Sequence, residues 1–124
     1  MGTFTDDDLT LLRETEEIRI APYAEDGFLY DGRLIWVVVA EGRVYIRSWK
    51  GADAEWFRRA ARSLRAHITI DGSAFSREVT LARIRDTGIQ HAIDEQYLAS
   101  YPQPYAGEMV APRAAETTLE VLAV

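Results

Sequence analysis

A chain of 124 residues has the length of one domain and can bury about two thirds of the surface its unfolded form exposes. Cysteine is absent, which excludes disulfides, iron–sulfur clusters and thiol nucleophiles, and the two histidines, His67 and His91, fall in different predicted elements, so no metal site is expected. A formal net charge of -6 disfavours nucleic acid, no apolar run approaches the ~20 residues a bilayer demands, and Asp6, Asp7 and Asp8 stand where a basic leader would, so the chain reads as a soluble cytoplasmic protein.

Thr5 ahead of Asp6, Asp7 and Asp8 predicts the start of a short helix, with Thr5 as N-cap and the acids near the positive end of the helix dipole. Between Glu16 and Tyr23, Ile18 and Ile20 share one face and Arg19 opposes them, the pattern of a half-buried strand that Pro22 ends. Asp26-Gly27 and Asp31-Gly32 mark the following residues as a loop. Leu34 to Ala40 is one continuous apolar run of strand length, which predicts a strand covered on both faces. Glu41-Gly42 supplies a two-residue turn into a second strand, Arg43 to Ser48.

Asp53 is placed to cap a helix whose stripe is Trp56, Phe57, Ala60, Ala61 and Leu64, with Arg58, Arg59, Arg62 and Arg65 turned outward. His67 to Ile70 and Glu78 to Arg85 alternate as strands. The second offers two inner faces, Val79-Leu81-Arg83 and Thr80-Ala82-Ile84, and its pattern does not choose between them. Thr87 to Gln90 matches a capping box for a helix reaching about Ser100; a loop with Pro102, Pro104, Gly107 and Pro112 follows, and Thr117 to Val124 closes the chain as a strand. The sum is a single α+β domain over residues 1–124: a small six-stranded, mainly antiparallel barrel with three helices.

Arg47, Ser48, Lys50 and Gly51 cluster at a strand end and form a compact set of phosphate donors: a guanidinium, a hydroxyl, an ammonium and a residue without Cβ for close approach. The spacing is neither a Walker loop nor a dinucleotide fingerprint, and Asp53 and Glu55 would repel an anion placed directly at the helix start, so the phosphate belongs nearer the strand end. Of the three tryptophans, Trp36 and Trp56 read as core, and Trp49, in the turn, is free to meet a ligand. Tyr97, Tyr101 and Tyr105 gather at the end of the last helix and beyond it. They read either as packing residues with a phenol at the surface or as an aromatic lid over a pocket. His91 and Glu95 read as a solvent-facing pair.

Leu34-Ile-Trp-Val-Val-Val, then Val44-Tyr-Ile-Arg-Ser-Trp-Lys-Gly and Ala54-Glu-Trp-Phe-Arg-Arg-Ala, resemble an uncharacterised family of short bacterial proteins grouped with the flavin-binding split barrels. The resemblance runs nearly the whole chain, to Thr117-Thr118-Leu119. Between Trp36 and Ile70 the chain is more distantly similar to the deazaflavin-dependent nitroreductases, which share a strand ending in Ser-x-x-Gly and an aromatic pair at a helix. The longer basic N-terminal part of those relatives has no counterpart here. The resemblance implies a split barrel that binds FMN or a deazaflavin coenzyme, with Arg47, Ser48 and Lys50 on the phosphate, Gly51 giving backbone approach, Arg58 as a second cation, Trp49 near the ring, and Tyr97 and Tyr101 on the substrate side. It also implies a homodimer with the cofactor between subunits. An oxidoreductase is one reading of such a chain, and a non-catalytic dimeric module for a small ligand or protein partner is the other.

Overall fold

The computed structural model describes residues 3–124. Helix α1 (Asp6–Glu14) opens with the predicted cap: the Thr5 hydroxyl accepts from the Asp8 amide while the Asp8 carboxylate accepts from the Thr5 amide, so two of the helix's orphan donors are satisfied reciprocally. Strand β1 (Glu17–Pro22) keeps the expected parity, with Ile18 and Ile20 buried.

The Leu34–Ala40 run departs from expectation. It forms two strands, β2 (Arg33–Trp36) and β3 (Val38–Ala40), separated at Val37. A side chain replaces the ladder there: the Val37 amide donates to the Tyr101 hydroxyl oxygen at 3.1 Å, and the Val37 carbonyl lies 2.7 Å from the same oxygen. With β4 (Arg43–Ile46), β5 (Arg65–Thr69), β6 (Ser76–Arg83) and β7 (Leu119–Ala123), the described residues form seven strands rather than six, all paired antiparallel in the order β2-β1-β5-β6-β7-β4-β3. The first and last strands of the sheet are thus the two halves of one apolar run, joined through Val37, and the sheet is a nearly closed barrel. The Glu41-Gly42 turn between β3 and β4 has φ of 53° and 76°, the positive values a tight two-residue hairpin requires.

Inside the barrel, Ile18, Ile20, Val39, Val44, Ile46, Ile68, Val79, Leu81, Leu119 and Val121 pack with Leu12 of α1 and with Phe57 and Ala60 of α2 (Glu55–Ser63). Val79 and Leu81 are therefore the inner face of β6, and Arg83 escapes at the strand end, where its guanidinium lies over the Phe57 ring. Outside, Val38, Ala40 and Tyr45 are covered by Ile93 and Tyr97 of α3 (Thr87–Ser100), by Tyr101 just beyond its end, and by Ala106 and Met109 of α4 (Tyr105–Met109). The double burial of β3 is real, and helices of this chain supply its outer cover.

The residues after Pro102, expected as loop, hold two short helices, α4 and α5 (Pro112–Ala115), so the described residues carry five α-helices rather than three. Neither has the length that makes periodicity legible. Two caps also move. Asp53 ends a 3₁₀ turn (Gly51–Asp53), leaving Ala54 to cap α2 without a side-chain bond, and Asp86 rather than Thr87 caps α3, accepting from the Gly88 amide. Among the described residues no helix is long and apolar enough to cross a membrane.

Candidate functional site

Four pieces of chain converge on one open groove of about 730 Å³. Strand β2 gives Arg33, Leu34, Ile35 and Trp36; the segment after β4 gives Arg47, Ser48, Trp49 and Lys50; the start of α2 gives Asp53, Ala54, Glu55 and Trp56; α4 gives Tyr105 and Met109, with Glu17 at the edge. All three tryptophans of the chain line it. Trp49, Tyr105 and Leu34 stand out at its rim, 54 %, 58 % and 45 % exposed. Trp36 is held from behind by a parallel stack on Tyr101, with ring centroids 4.0 Å apart and planes within 7°. Trp56 meets Phe57 edge to face, which anchors its ring to the barrel core.

The predicted phosphate residues separate into three roles. Ser48 and Lys50 line the groove. Ser48 is 1 % exposed and its Oγ has no hydrogen-bond partner among the described residues; a buried hydroxyl left unpaired costs about 1–3 kcal/mol, so this position favours any ligand that satisfies it. Lys50 is exposed, and neither it nor Arg33 has a carboxylate within salt-bridge reach among the described residues. Asp53 and Glu55, which would repel an anion, lie 3.9 Å from the Arg113 guanidinium and 3.1 Å from that of Arg59.

Arg47 corrects the expectation most sharply. Strand parity turns it away from the groove's open side into the interface with α3, where its side chain is fully buried. Nη1 donates to Asp94 Oδ1 at 2.6 Å and to the Met109 carbonyl at 3.0 Å, Nε donates to Thr118 Oγ1 at 2.9 Å, and Nη2 donates to Gln90 Oε1 and to the Gln90 carbonyl at 3.5 Å. Every face of the guanidinium is taken, and Tyr97 packs its ring 5.5 Å from Arg47 Cζ. Arg47 therefore clamps α3, α4 and the segment before β7 beneath the groove and has no donor to spare for a phosphate.

Gly51 and Arg58 are likewise structural and do not line the groove. Gly51 has φ of 64°, and a Cβ there would stand 2.6 Å from Arg113 Cγ and 3.1 Å from the Arg113 carbonyl oxygen; the missing Cβ admits Arg113, whose Nη2 donates to the Lys50 carbonyl at 2.9 Å. Gly51→Ala should cost about 1–2 kcal/mol from left-handed backbone strain alone, and a thermal melt indistinguishable from that of the parent protein would disprove the assignment. Arg58 donates back to the Ala52 and Asp53 carbonyls, bracing the turn that carries Lys50.

Tyr97 and Tyr101 are not a lid. Tyr97 is completely buried and its hydroxyl has no hydrogen-bond partner among the described residues, and burial drives its ionisation far above the ordinary phenol range. Tyr101 spends its hydroxyl on the Val37 and Glu16 backbone, and burial pushes its pKa up to about 12. Of the tyrosine cluster it is Tyr105 that reaches the groove. Arg33, Trp36 and Trp56 belong to it too, and were hidden in the sequence because a strand or helix that is half core and half groove wall reads as core throughout. His91 and Glu95 are the solvent-facing pair expected, 3.5 Å apart.

The fold has solved counterparts. A heme storage protein, HutZ from Vibrio cholerae, superposes with a TM-score of 0.71 at 9 % identity, over 100 % of this chain and 92 % of that one. The conserved hypothetical protein Rv2991 from Mycobacterium tuberculosis gives 0.62 at 15 % identity over 99 % and 81 %. A proposed pyridoxamine 5'-phosphate oxidase from Listeria innocua gives 0.63 at 15 % identity over 96 % and 90 %. At such identities the likeness establishes the split-barrel architecture and no activity. No curated protein matches the chain. Residues 8–121 match a bacterial family described as an uncharacterized conserved protein, DUF2255, and the chain belongs to that family.

Proposed function

We propose that the groove binds a planar, phosphate-bearing redox cofactor, flavin mononucleotide or a deazaflavin coenzyme, and that the chain works as an oxidoreductase with it. The observation that carries this reading is the convergence of three tryptophans and the unpartnered Ser48 hydroxyl on one groove whose size falls in the range of about 300–1,000 Å³ usual for ligand sites. The similarity to split barrels named for heme storage and for a pyridoxamine-phosphate oxidase supports a ligand-binding use of the fold, and the likeness to the nitroreductases supports the choice of cofactor.

The donor set fits such a group. Lys50 and Arg33 provide charge for a phosphate, the Ser48 hydroxyl donates to one of its oxygens, and the tryptophan faces offer stacking surface and exclude water. Bound there, the ring would supply hydride chemistry; the chain's part is to hold and orient it. Arg47 acts at one remove by fixing the segment that bears Ser48 and Lys50.

Because every tryptophan lines the groove, adding flavin mononucleotide should quench most of the intrinsic fluorescence in a saturable way. Lys50→Ala should raise the Kd for flavin mononucleotide about tenfold or more, the equivalent of one charge-assisted contact of about 1.5–3 kcal/mol, and leave riboflavin binding unchanged. An equal loss with riboflavin would remove the phosphate from Lys50. Three carboxylates, Glu17, Asp53 and Glu55, share the groove and favour a second reading, a non-catalytic module for an uncharged or cationic aromatic ligand. Calorimetry showing no binding of either coenzyme would turn the assignment to that module. Either reading is compatible with a homodimer, proposed here from the exposed apolar rim of Leu34, Trp49 and Tyr105; sedimentation with and without ligand tests it, and a 14.0 kDa species in both states would exclude it.

A further inference from the structure

Strands β5 and β6 place three chemistry-bearing side chains together on the solvent face of the barrel, and none of them lines the tryptophan groove. His67 stands directly across the ladder from Glu78, and Thr69 stands across from Ser76. Parity turns His67, Ser76 and Glu78 outward while Ala66, Ile68 and Val79 face the core. His67 Nε2 lies 2.8 Å from Ser76 Oγ, and His67 Nδ1 is bonded to Glu78 Oε2. The other carboxylate oxygen, Glu78 Oε1, accepts from the Tyr23 hydroxyl, so both oxygens are held and the carboxylate is aimed at the imidazole. That donation, and then the contact with His67, keep the Glu78 carboxyl below the usual range. With its proton on Nδ1 and shared with Glu78, the imidazole leaves Nε2 free to accept from the Ser76 hydroxyl.

We propose that Ser76, His67 and Glu78 form a nucleophilic relay that accepts acyl groups from small activated esters, an esterase-type activity on the face of the sheet away from the groove. Ser76 Oγ attacks the ester carbonyl while its proton passes to His67 Nε2. The bond to the leaving alkoxide or phenolate breaks, and that group departs with the proton from Nε2, or as the free anion while Nε2 passes its proton to solvent. Water then attacks the acyl-serine and gives up a proton to the neutral Nε2, which returns it to Ser76 Oγ as the bond to the serine breaks and the carboxylic acid leaves. Glu78 stabilises the imidazolium formed in each half, and Tyr23 positions Glu78. The relay sits on an exposed sheet face, so it suits good leaving groups, which depart without a strong oxyanion hole.

The test uses p-nitrophenyl acetate and the purified chain. Expected are p-nitrophenolate release above the buffer rate, a burst followed by slower turnover, and one acetyl group on the peptide containing Ser76 in an acid-quenched digest. Ser76→Ala and His67→Ala should each lower the rate tenfold or more, Glu78→Gln should lower it less, and His91→Ala, which removes the other imidazole, should leave it unchanged. All four positions are at the surface, and coincident circular-dichroism melts establish that the variants fold. A rate that falls with His67→Ala but not with Ser76→Ala would make the imidazole itself the nucleophile. That result, or acetylation only at other residues, overturns the proposal. Flavin binding in the groove is unaffected by either result.

Discussion

Replacing Arg47 by alanine is expected to cost about 3–5 kcal/mol of folding stability, the range for removing one partner of a buried ion pair. The loss has a specific origin. The Asp94 carboxylate, Thr118 Oγ1, Gln90 Oε1 and the Met109 carbonyl all accept from this one guanidinium, and alanine leaves them facing a void without donors. For a domain of this size the melting temperature should fall by on the order of 10 °C or more. Arg47→Met, which refills the volume without the charge, should recover only a part, since the acceptors stay unpaired. Thermal unfolding by circular dichroism decides it, and a melt within one or two degrees of the parent protein would show that the guanidinium is not the clamp described. Asp94→Asn should be milder, because its side chain is 32 % exposed and the amide oxygen still accepts.

The next largest effect is expected at Tyr101. Tyr101→Phe deletes one oxygen that serves the Val37 amide, the Val37 carbonyl and the Glu16 carbonyl, and strands a buried amide donor at a cost of about 1–3 kcal/mol. The ring and its stack on Trp36 stay in place, so the loss isolates the hydroxyl. The same residue sets a pH limit. Its ionisation is raised from 10.0 to about 12 by burial, so the folded state holds the proton more tightly than the unfolded one. The corresponding stability is complete below pH 10 and is lost as pH rises through the folded value, with Tyr97 acting in the same direction. The parent protein should therefore lose stability in that window, and Tyr101→Phe should lose less of it while starting lower. Equal alkaline slopes for the two proteins would contradict the assignment.

Local chemistry made much of the architecture legible. Thr5 capped its helix, the Glu41-Gly42 turn took positive φ, and Ile18 and Ile20 faced inward because short-range sterics and period-two burial settle such matters without knowledge of the rest of the chain. What stayed hidden was set at long range. The break at Val37 is imposed by a tyrosine 64 positions away, and no feature of Ile-Trp-Val-Val-Val announces it. Arg47 read as a ligand because an arginine at a strand end has the same appearance whether it meets a phosphate or an aspartate from another helix; its partner Asp94 lies 47 positions on. Ser48, Trp49 and Lys50 line one groove, and its far wall, Arg33 and Trp36, was missed because that wall is the opposite edge of the curled sheet.

The division of the apolar run at Val37 also bears on solubility. Leu34 to Ala40 carries no charge, no glycine and no proline, and a seven-residue stretch of this kind, if straight and unpaired along one side, is a template for cross-β association. Folded, it gives three residues to each of two short edge strands, Arg33–Trp36 and Val38–Ala40, at opposite ends of the same sheet, so neither offers an incoming chain a long flat ladder. The Tyr101 hydroxyl that holds the break at Val37 thus acts as a gatekeeper from a distant part of the chain. Its removal should shorten the lag before fibrillar or amorphous aggregates form at a temperature where both proteins remain mostly folded, out of proportion to the stability lost.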